Sequence, residues 1–231
     1  MALVETKNIT KSFGSNFALK DINLSIESGQ IVGLLGPNGS GKTTLIKLMM
    51  GLLQPDMGSI RIEGNEPGVE TKKISAYLPD RIVLPSYMTT EQLIRMNADF
   101  FDDFNESKAV EMAKSLNLDF GQTMQKMSKG TKEKLQLILT MSREAKLYLL
   151  DEPIGGVDPA TRDYILRTII TNYSEDAAVI ISTHLIQDVE SIIDDVIFIN
   201  RGETVLHKSA EEIREENNKS VDELFREVFK C

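Results

Sequence analysis

The spacing of apolar residues changes period several times along the chain, and each change marks a predicted element. Short, predominantly apolar runs occur at 31–35, 146–150, 178–182 and 196–199. They are too brief for amphipathic helices and read as strands buried on both faces. Upstream, Leu3 and Ile9 among charged neighbours predict a strand over 2–10. A turn at 13–16 and a second strand over 18–26 follow, the latter broken at Gly29. Residues 58–64 alternate apolar and polar between two glycines, as a hairpin strand does, and 74–78 reads as a strand ending at Pro79-Asp80. Beyond Pro85 the pattern becomes helical. Thr89-Thr-Glu-Gln92 has the form of a capping box, and helical periodicity continues to about Glu144. This predicts a helical subdomain, about 81–145, inserted in an α/β core with a mainly parallel sheet and N-terminal antiparallel strands. Asn200–Glu203 reads as a hairpin turn. A tail, 207–231, carries two further capping boxes, Ser209-x-x-Glu212 and Ser220-x-x-Glu223. Val221, Leu224, Phe225, Val228 and Phe229 share one helical face there, read first as the stripe of a helix packed on a core, with a partner contact as the other reading.

The first apolar run leads into Gly36-Pro37-Asn38-Gly39-Ser40-Gly41-Lys42-Thr43-Thr44, after which Leu45, Ile46, Leu48 and Met49 open a helix ending near Gly51. This is G-x-x-x-x-G-K-[ST] in the strand–loop–helix setting the motif requires. Glycines let successive backbone N–H groups converge on an anion, and the helix N-terminus adds free donors and a positive dipole end. Lys42 supplies a point charge for the β- and γ-phosphates, and the Thr43 hydroxyl is a ligand for Mg²⁺. The loop predicts a nucleoside triphosphate site. A second centre follows the run at 146–150, where Asp151-Glu152-Pro153 ends a buried strand. Ligands of open α/β sheets sit at such strand ends. Asp151 is placed to hold Mg²⁺, and Glu152 is a candidate base for an attacking water; the plainer reading, carboxylates capping the next helix, loses weight beside the phosphate loop.

Composition narrows the class. The 231 residues are 41% hydrophobic and 26% charged, ordinary for a soluble globular chain of one large domain. A formal net charge of −9 argues against nucleic acid as a partner. The only cysteine is Cys231, so no internal disulfide is available and a reducing cytoplasm fits. No stretch approaches the ~20 apolar residues of a membrane span and no signal peptide is evident, so any membrane role is expected to need another chain as anchor.

The phosphate loop, the Leu147–Pro153 stretch and His184, in that order, resemble the ATP-binding subunit of ABC transporters. The likeness runs from Asn8 to Glu203 and leaves only the tail outside it. The resemblance implies an ABC-type ATP-binding domain over 1–206 that hydrolyses ATP with Mg²⁺, the tail following as a short helical addition. It implies that Phe13 stacks on adenine, where the family usually has Tyr, and that His184 contacts the γ-phosphate. In Met127-Ser-Lys-Gly-Thr131, Ser128 and Gly130 match the family's Leu-Ser-Gly-Gly-Gln, whereas Lys129 and Thr131 depart. Ser128 and Gly130 are expected to grip the ATP of a second ATP-binding subunit, and 154–158 to lie where the two subunits touch. Asp80 stands where the family usually has Gln. It is a candidate metal ligand or a solvated strand-end charge, two readings the residues leave open. A separate transmembrane permease is the implied partner, docked on the helical subdomain, with the protein held at the inner face of the cell membrane. Length and tail look most like exporters. A soluble ABC-type ATPase of an assembly complex is the alternative, and intact Glu152 and His184 argue against a non-hydrolysing switch.

Overall fold

The computed structural model describes residues 2–174 and 176–229; Cys231 lies outside them. Chain order begins β1 (Val4–Phe13), β2 (Asn16–Ile26), β3 (Ile31–Leu35), α1 (Lys42–Met49), β4 (Met57–Ile62), α2 (Val69–Lys73) and β5 (Ser75–Leu78). A helical stretch follows, α3 (Thr90–Phe100), α4 (Glu106–Ser115) and α5 (Lys129–Met141). The chain then returns to α/β alternation with β6 (Leu147–Asp151), α6 (Pro159–Asn172), β7 (Ala178–Thr183), α7 (Ile186–Val189) and β8 (Asp195–Asn200). It closes with β9 (Glu203–Ser209), α8 (Ala210–Asn217) and α9 (Val221–Phe229).

The strands form two sheets. One is antiparallel, ordered β2-β1-β4; the other is six-stranded, ordered β5-β6-β7-β3-β8-β9 and parallel except for its edge strand β9. β3, β6 and β7 are buried along their whole length, which is why apolar residues follow one another in them instead of alternating with polar ones, up to the buried Asp151 and Ser182-Thr183 at their ends. One face of the large sheet packs on α1 and the antiparallel sheet through Leu45, Ile46, Ile9 and Ile22. The other face is covered by α6, α7 and the C-terminal helices. The helical stretch has its own apolar cluster, built from Leu93, Ile94, Ala109, Met124, Leu135 and Ile138. Its first helix starts as the capping box predicts, with Thr89 Oγ1 accepting from Gln92 N at 3.2 Å.

Three details differ from the sequence reading. The strand at 58–64 turns back at its end in a single antiparallel bridge, Ile62 with Asn65, but its main partner is not its neighbour in sequence: β4 pairs with β1, antiparallel. The five-residue α2 has no counterpart in the reading, being shorter than a helical period can reveal. The boundary at 206/207 falls inside β9. The tail continues that strand and returns to the large sheet, where Val221, Leu224 and Phe225 join the main core. Phe225 meets Phe198 of β8 edge-on at 5.3 Å between ring centroids.

Candidate active site

Four adjacent parallel strands, β5, β6, β7 and β3, deliver the predicted groups to one edge of the sheet. Asp80 follows β5, Asp151 and Glu152 end β6, His184 follows β7, and the glycine-rich loop follows β3. The strand order passes from β7 to β3 to β8, so the phosphate loop leaves the sheet at a change of direction, where open α/β sheets bind ligands.

The loop is shaped for close backbone approach. A Cβ on Gly36 would lie 2.2 Å from Ile199 O, and one on Gly41 (φ +114°) would lie 2.5 Å from Ala18 O. Gly41 precedes α1, and no side chain caps that helix, so its first N–H groups remain for an anion. Lys42 is 5% exposed and bridges the loop, donating to Gly36 O at 2.8 Å and Pro37 O at 3.2 Å. Burial lowers its pKa, opposed by Glu152, whose Oε1 lies 3.4 Å away. Ser40 Oγ is buried without a hydrogen-bond partner among the described residues.

Asp151 is fully buried. Its Oδ1 accepts from Thr43 Oγ1 at 3.0 Å and from Ser182 Oγ at 2.6 Å, while Oδ2 has no partner among the described residues. Burial raises its pKa. The two hydroxyl bonds oppose that rise, and Asp80 and Glu152 add to it. A buried carboxylate with one free oxygen, bonded to a threonine hydroxyl and repelled by two other carboxylates, is a hard oxygen set that a divalent cation would satisfy. Tyr77, close to Asp151 and Asp80, has its pKa pushed up to about 12, mainly by burial.

Glu152 adopts a left-handed backbone (φ +51°), a conformation that costs a non-glycine residue about 1–3 kcal/mol and persists only where the surroundings impose it. Its N–H donates to Ser182 O at 3.0 Å and to Ser182 Oγ at 3.1 Å. The carboxylate turns to Lys42 on one side and to His184 Nδ1, at 3.0 Å, on the other. Ser182 therefore positions both acidic residues. The sequence reading missed it, because a serine at the end of the apolar run 178–182 reads as a strand position.

The other predicted residues find their partners elsewhere. Phe13 is 52% exposed on the β1–β2 hairpin, with Lys11 Nζ 5.7 Å from its ring centroid. Ser128 caps α5, accepting from Thr131 N at 3.2 Å and sharing a hydrogen bond with Thr131 Oγ1 at 2.8 Å. Among the described residues no hydrogen bond or ion pair joins Ser128, Lys129 or Gly130 to the phosphate loop. A Cβ on Gly130 would meet nothing within 4 Å, so that glycine answers no crowding inside its own chain. Lys129 pairs with Glu133 at 3.5 Å, and its Nζ lies 3.4 Å from where a Cβ on Gly156 would be. Asp158 caps α6 through Thr161 N at 3.0 Å.

A phosphate loop, a buried metal-type carboxylate and a histidine-held glutamate on neighbouring strand ends define a P-loop nucleotide hydrolase. The family model described as "ABC transporter" matches residues 19–155. The ABC transporter ATP-binding protein YtrB of Bacillus subtilis (strain 168) is 30% identical over 217 residues, covering 93% of this chain and 74% of that protein. The SkfA peptide export ATP-binding protein SkfE of the same organism is 32% identical, covering 87% of each. A solved structure titled as the ATP binding subunit of an ABC transporter superposes with a TM-score of 0.89 at 28% identity, covering 98% of this chain and 99% of that one. The chain belongs to the ABC transporter family, as one of its ATP-binding subunits, and is an ATPase.

Proposed function

We propose that this subunit powers a separate membrane permease of the export class, closing on a second ATP-binding subunit when ATP binds and opening after hydrolysis. The observation that carries the catalytic reading is the position of Glu152, held between Lys42 and His184 at the mouth of the phosphate loop. Lys42 is already seated across the loop, so its charge needs only to swing from the Gly36 and Pro37 carbonyls to the β- and γ-phosphates. The uncapped N-terminus of α1 and Ser40 hold the phosphate oxygens, and Phe13 takes the adenine ring on its exposed face. Thr43 and Asp151, with Asp80 as a further candidate, would hold Mg²⁺, which neutralises phosphate charge when bound. His184 orients the Glu152 carboxylate. Glu152 takes a proton from water as the water oxygen bonds to the γ-phosphorus, and the bond to the bridging oxygen breaks, leaving ADP and phosphate.

Ser128 and Gly130 complete the site of the second subunit. The reading is supported by the lack, among the described residues, of any hydrogen bond from Ser128 or Gly130 to their own phosphate loop, and by the open space at Gly130. The permease docks in an apolar cleft of about 400 Å³ between core and helical subdomain, lined by Tyr77, Val83, Leu84, Phe101 and Leu139. Among the described residues no helix is long and apolar enough to cross a membrane, which fits a subunit held at the inner membrane face by that permease. The export class rests on relatives such as the SkfA peptide export ATP-binding protein.

The test is Glu152→Gln, which keeps shape and hydrogen bonding but cannot take the proton. Hydrolysis should fall about 10²–10⁴-fold while nucleotide binding survives. Light scattering should show a dimer with ATP and a monomer with ADP or none, repeated with the partner subunit if the natural pair is mixed. Hydrolysis at the wild-type rate would remove Glu152 from the catalytic role.

A further inference from the structure

A polar side chain buried in an apolar helix face is costly unless its polar atoms find partners. α5 contains such a residue. Gln136 is 6% exposed and sits between the buried Leu135 and Leu137. One short segment uses its whole amide. Oε1 accepts from Val83 N at 3.0 Å, and Nε2 donates to Pro79 O at 3.4 Å and Arg81 O at 3.3 Å. These partners fix the orientation of the amide, since a backbone N–H requires the oxygen and the two carbonyls require the NH₂. Segment 79–83 has no helix or strand of its own and carries Asp80 off the end of β5. Gln136 also separates two clefts. On one side it lines the apolar groove with Tyr77 and Val83; on the other it lines a small cleft with Asp80, Glu133 and Glu152.

We propose that Gln136 is a positioning residue for the hydrolysis reaction, fastening segment 79–83 to α5 and so holding Asp80 against the Asp151–Glu152 edge. The inference rests on reading that edge as the ATPase site. Gln136 lies about 12 Å along the helix axis from Ser128, at ~1.5 Å per residue. The helix that presents Ser128 and Gly130 to a second subunit is therefore the helix that holds Asp80. A displacement of α5 is transmitted to Asp80 by hydrogen bonds rather than by loop contacts.

The experiment compares wild type with Gln136→Met, which keeps length and volume and removes the hydrogen bonds. Hydrogen exchange of the peptide spanning 79–84 should speed up at least about tenfold, in line with loss of a protecting bond. Exchange at Ile31–Leu35 should stay unchanged. In steady-state kinetics kcat should fall about tenfold with the KM for Mg-ATP within about twofold, because the phosphate loop is untouched. In an Asp80→Ala background the same substitution should cost less than about twofold, the coupling expected when one residue acts through another. Gln136→Glu retains the acceptor for Val83 N–H and loses both donations, so its exchange should fall between wild type and Gln136→Met. Unchanged exchange at 79–84 overturns the proposal. So does faster exchange throughout the core, or an equal loss of kcat with and without Asp80. A wild-type chain that hydrolyses no ATP would instead overturn the ATPase reading, while the exchange result would still decide whether Gln136 holds the segment.

Discussion

Replacing Asp151 with Asn should make the nucleotide-free protein more stable while ruining its response to Mg-nucleotide. The wild-type carboxylate is fully buried, accepts two hydroxyl hydrogen bonds through Oδ1 and none through Oδ2, and is repelled by Asp80 and Glu152. Asparagine retains the shape and both accepted bonds and removes the charge. Its NH₂ takes the place of the unpartnered oxygen, which costs about 1–3 kcal/mol. Removing a buried charge that the nearby Lys42 and two hydroxyls only partly offset regains a few kcal/mol. The balance is a net stabilisation of about 1–2 kcal/mol, or roughly 2–8 °C in Tm for a chain of this size. The pH dependence has a definite sign. Burial raises the Asp151 pKa above the ordinary 3.8, so between 3.8 and that raised value the folded protein binds more protons than the unfolded chain. Stability conferred by the protonated form is therefore lost as pH rises through the folded pKa. The gap between variant and wild type should be small at the bottom of this window and complete above it. Calorimetry of both proteins at acidic and at mildly alkaline pH, with and without saturating Mg-ADP, reads all of this. Binding at 100 times Kd adds about 2.7 kcal/mol to wild type, and the variant should gain much less, so the order of melting reverses. A variant that melts below wild type without nucleotide at alkaline pH would refute the reasoning, as would equal stabilisation of both by Mg-ADP.

Other outcomes follow from the same geometry. Lys129→Gly should leave ATPase activity within about tenfold of wild type, because Lys129 is turned toward Glu133 and the 154–158 loop of its own chain. A thousandfold loss in steady-state assays would place its ammonium on the phosphates. Phe225→Ala should cost about 3–4 kcal/mol in urea unfolding, as the loss of a buried aromatic does, since the ring contacts Phe198 and stacks on Phe229 at 4.2 Å. An effect below about 0.5 kcal/mol, the range of ordinary surface substitutions, would show that α9 is a docking face rather than part of the core.

The strands other than β9, the phosphate loop and the acidic pair were legible because each is a local signal. Five consecutive buried positions leave an apolar run, and a loop that must cradle phosphates leaves glycines at fixed intervals. Strand partnership was not legible. That β3 lies between β7 and β8, or that β4 joins β1, depends on pairings across long stretches of chain that leave no local period. Ser182 and Gln136 were hidden for a related reason. Each sits among apolar neighbours and acquires its meaning from a residue on another strand or loop. The left-handed backbone of Glu152 also leaves no compositional mark, since the position is glutamate and not glycine.

The place of β3 in the sheet has a consequence for synthesis of the chain. Residues 31–35 emerge early, yet neither of the strands that flank them exists until roughly 140 residues later. At ~5–20 residues per second this is a wait of about 7–30 s. Throughout that interval an apolar strand with two unpaired edges precedes the glycine-rich loop in the nascent chain. The loop has no sheet to hold it open, so ATP offers no early help, and nucleotide can stabilise this protein only after β7 and β8 have left the ribosome. Until then protection of β3 falls to the antiparallel N-terminal strands, to α1, and to whatever chaperone meets the chain.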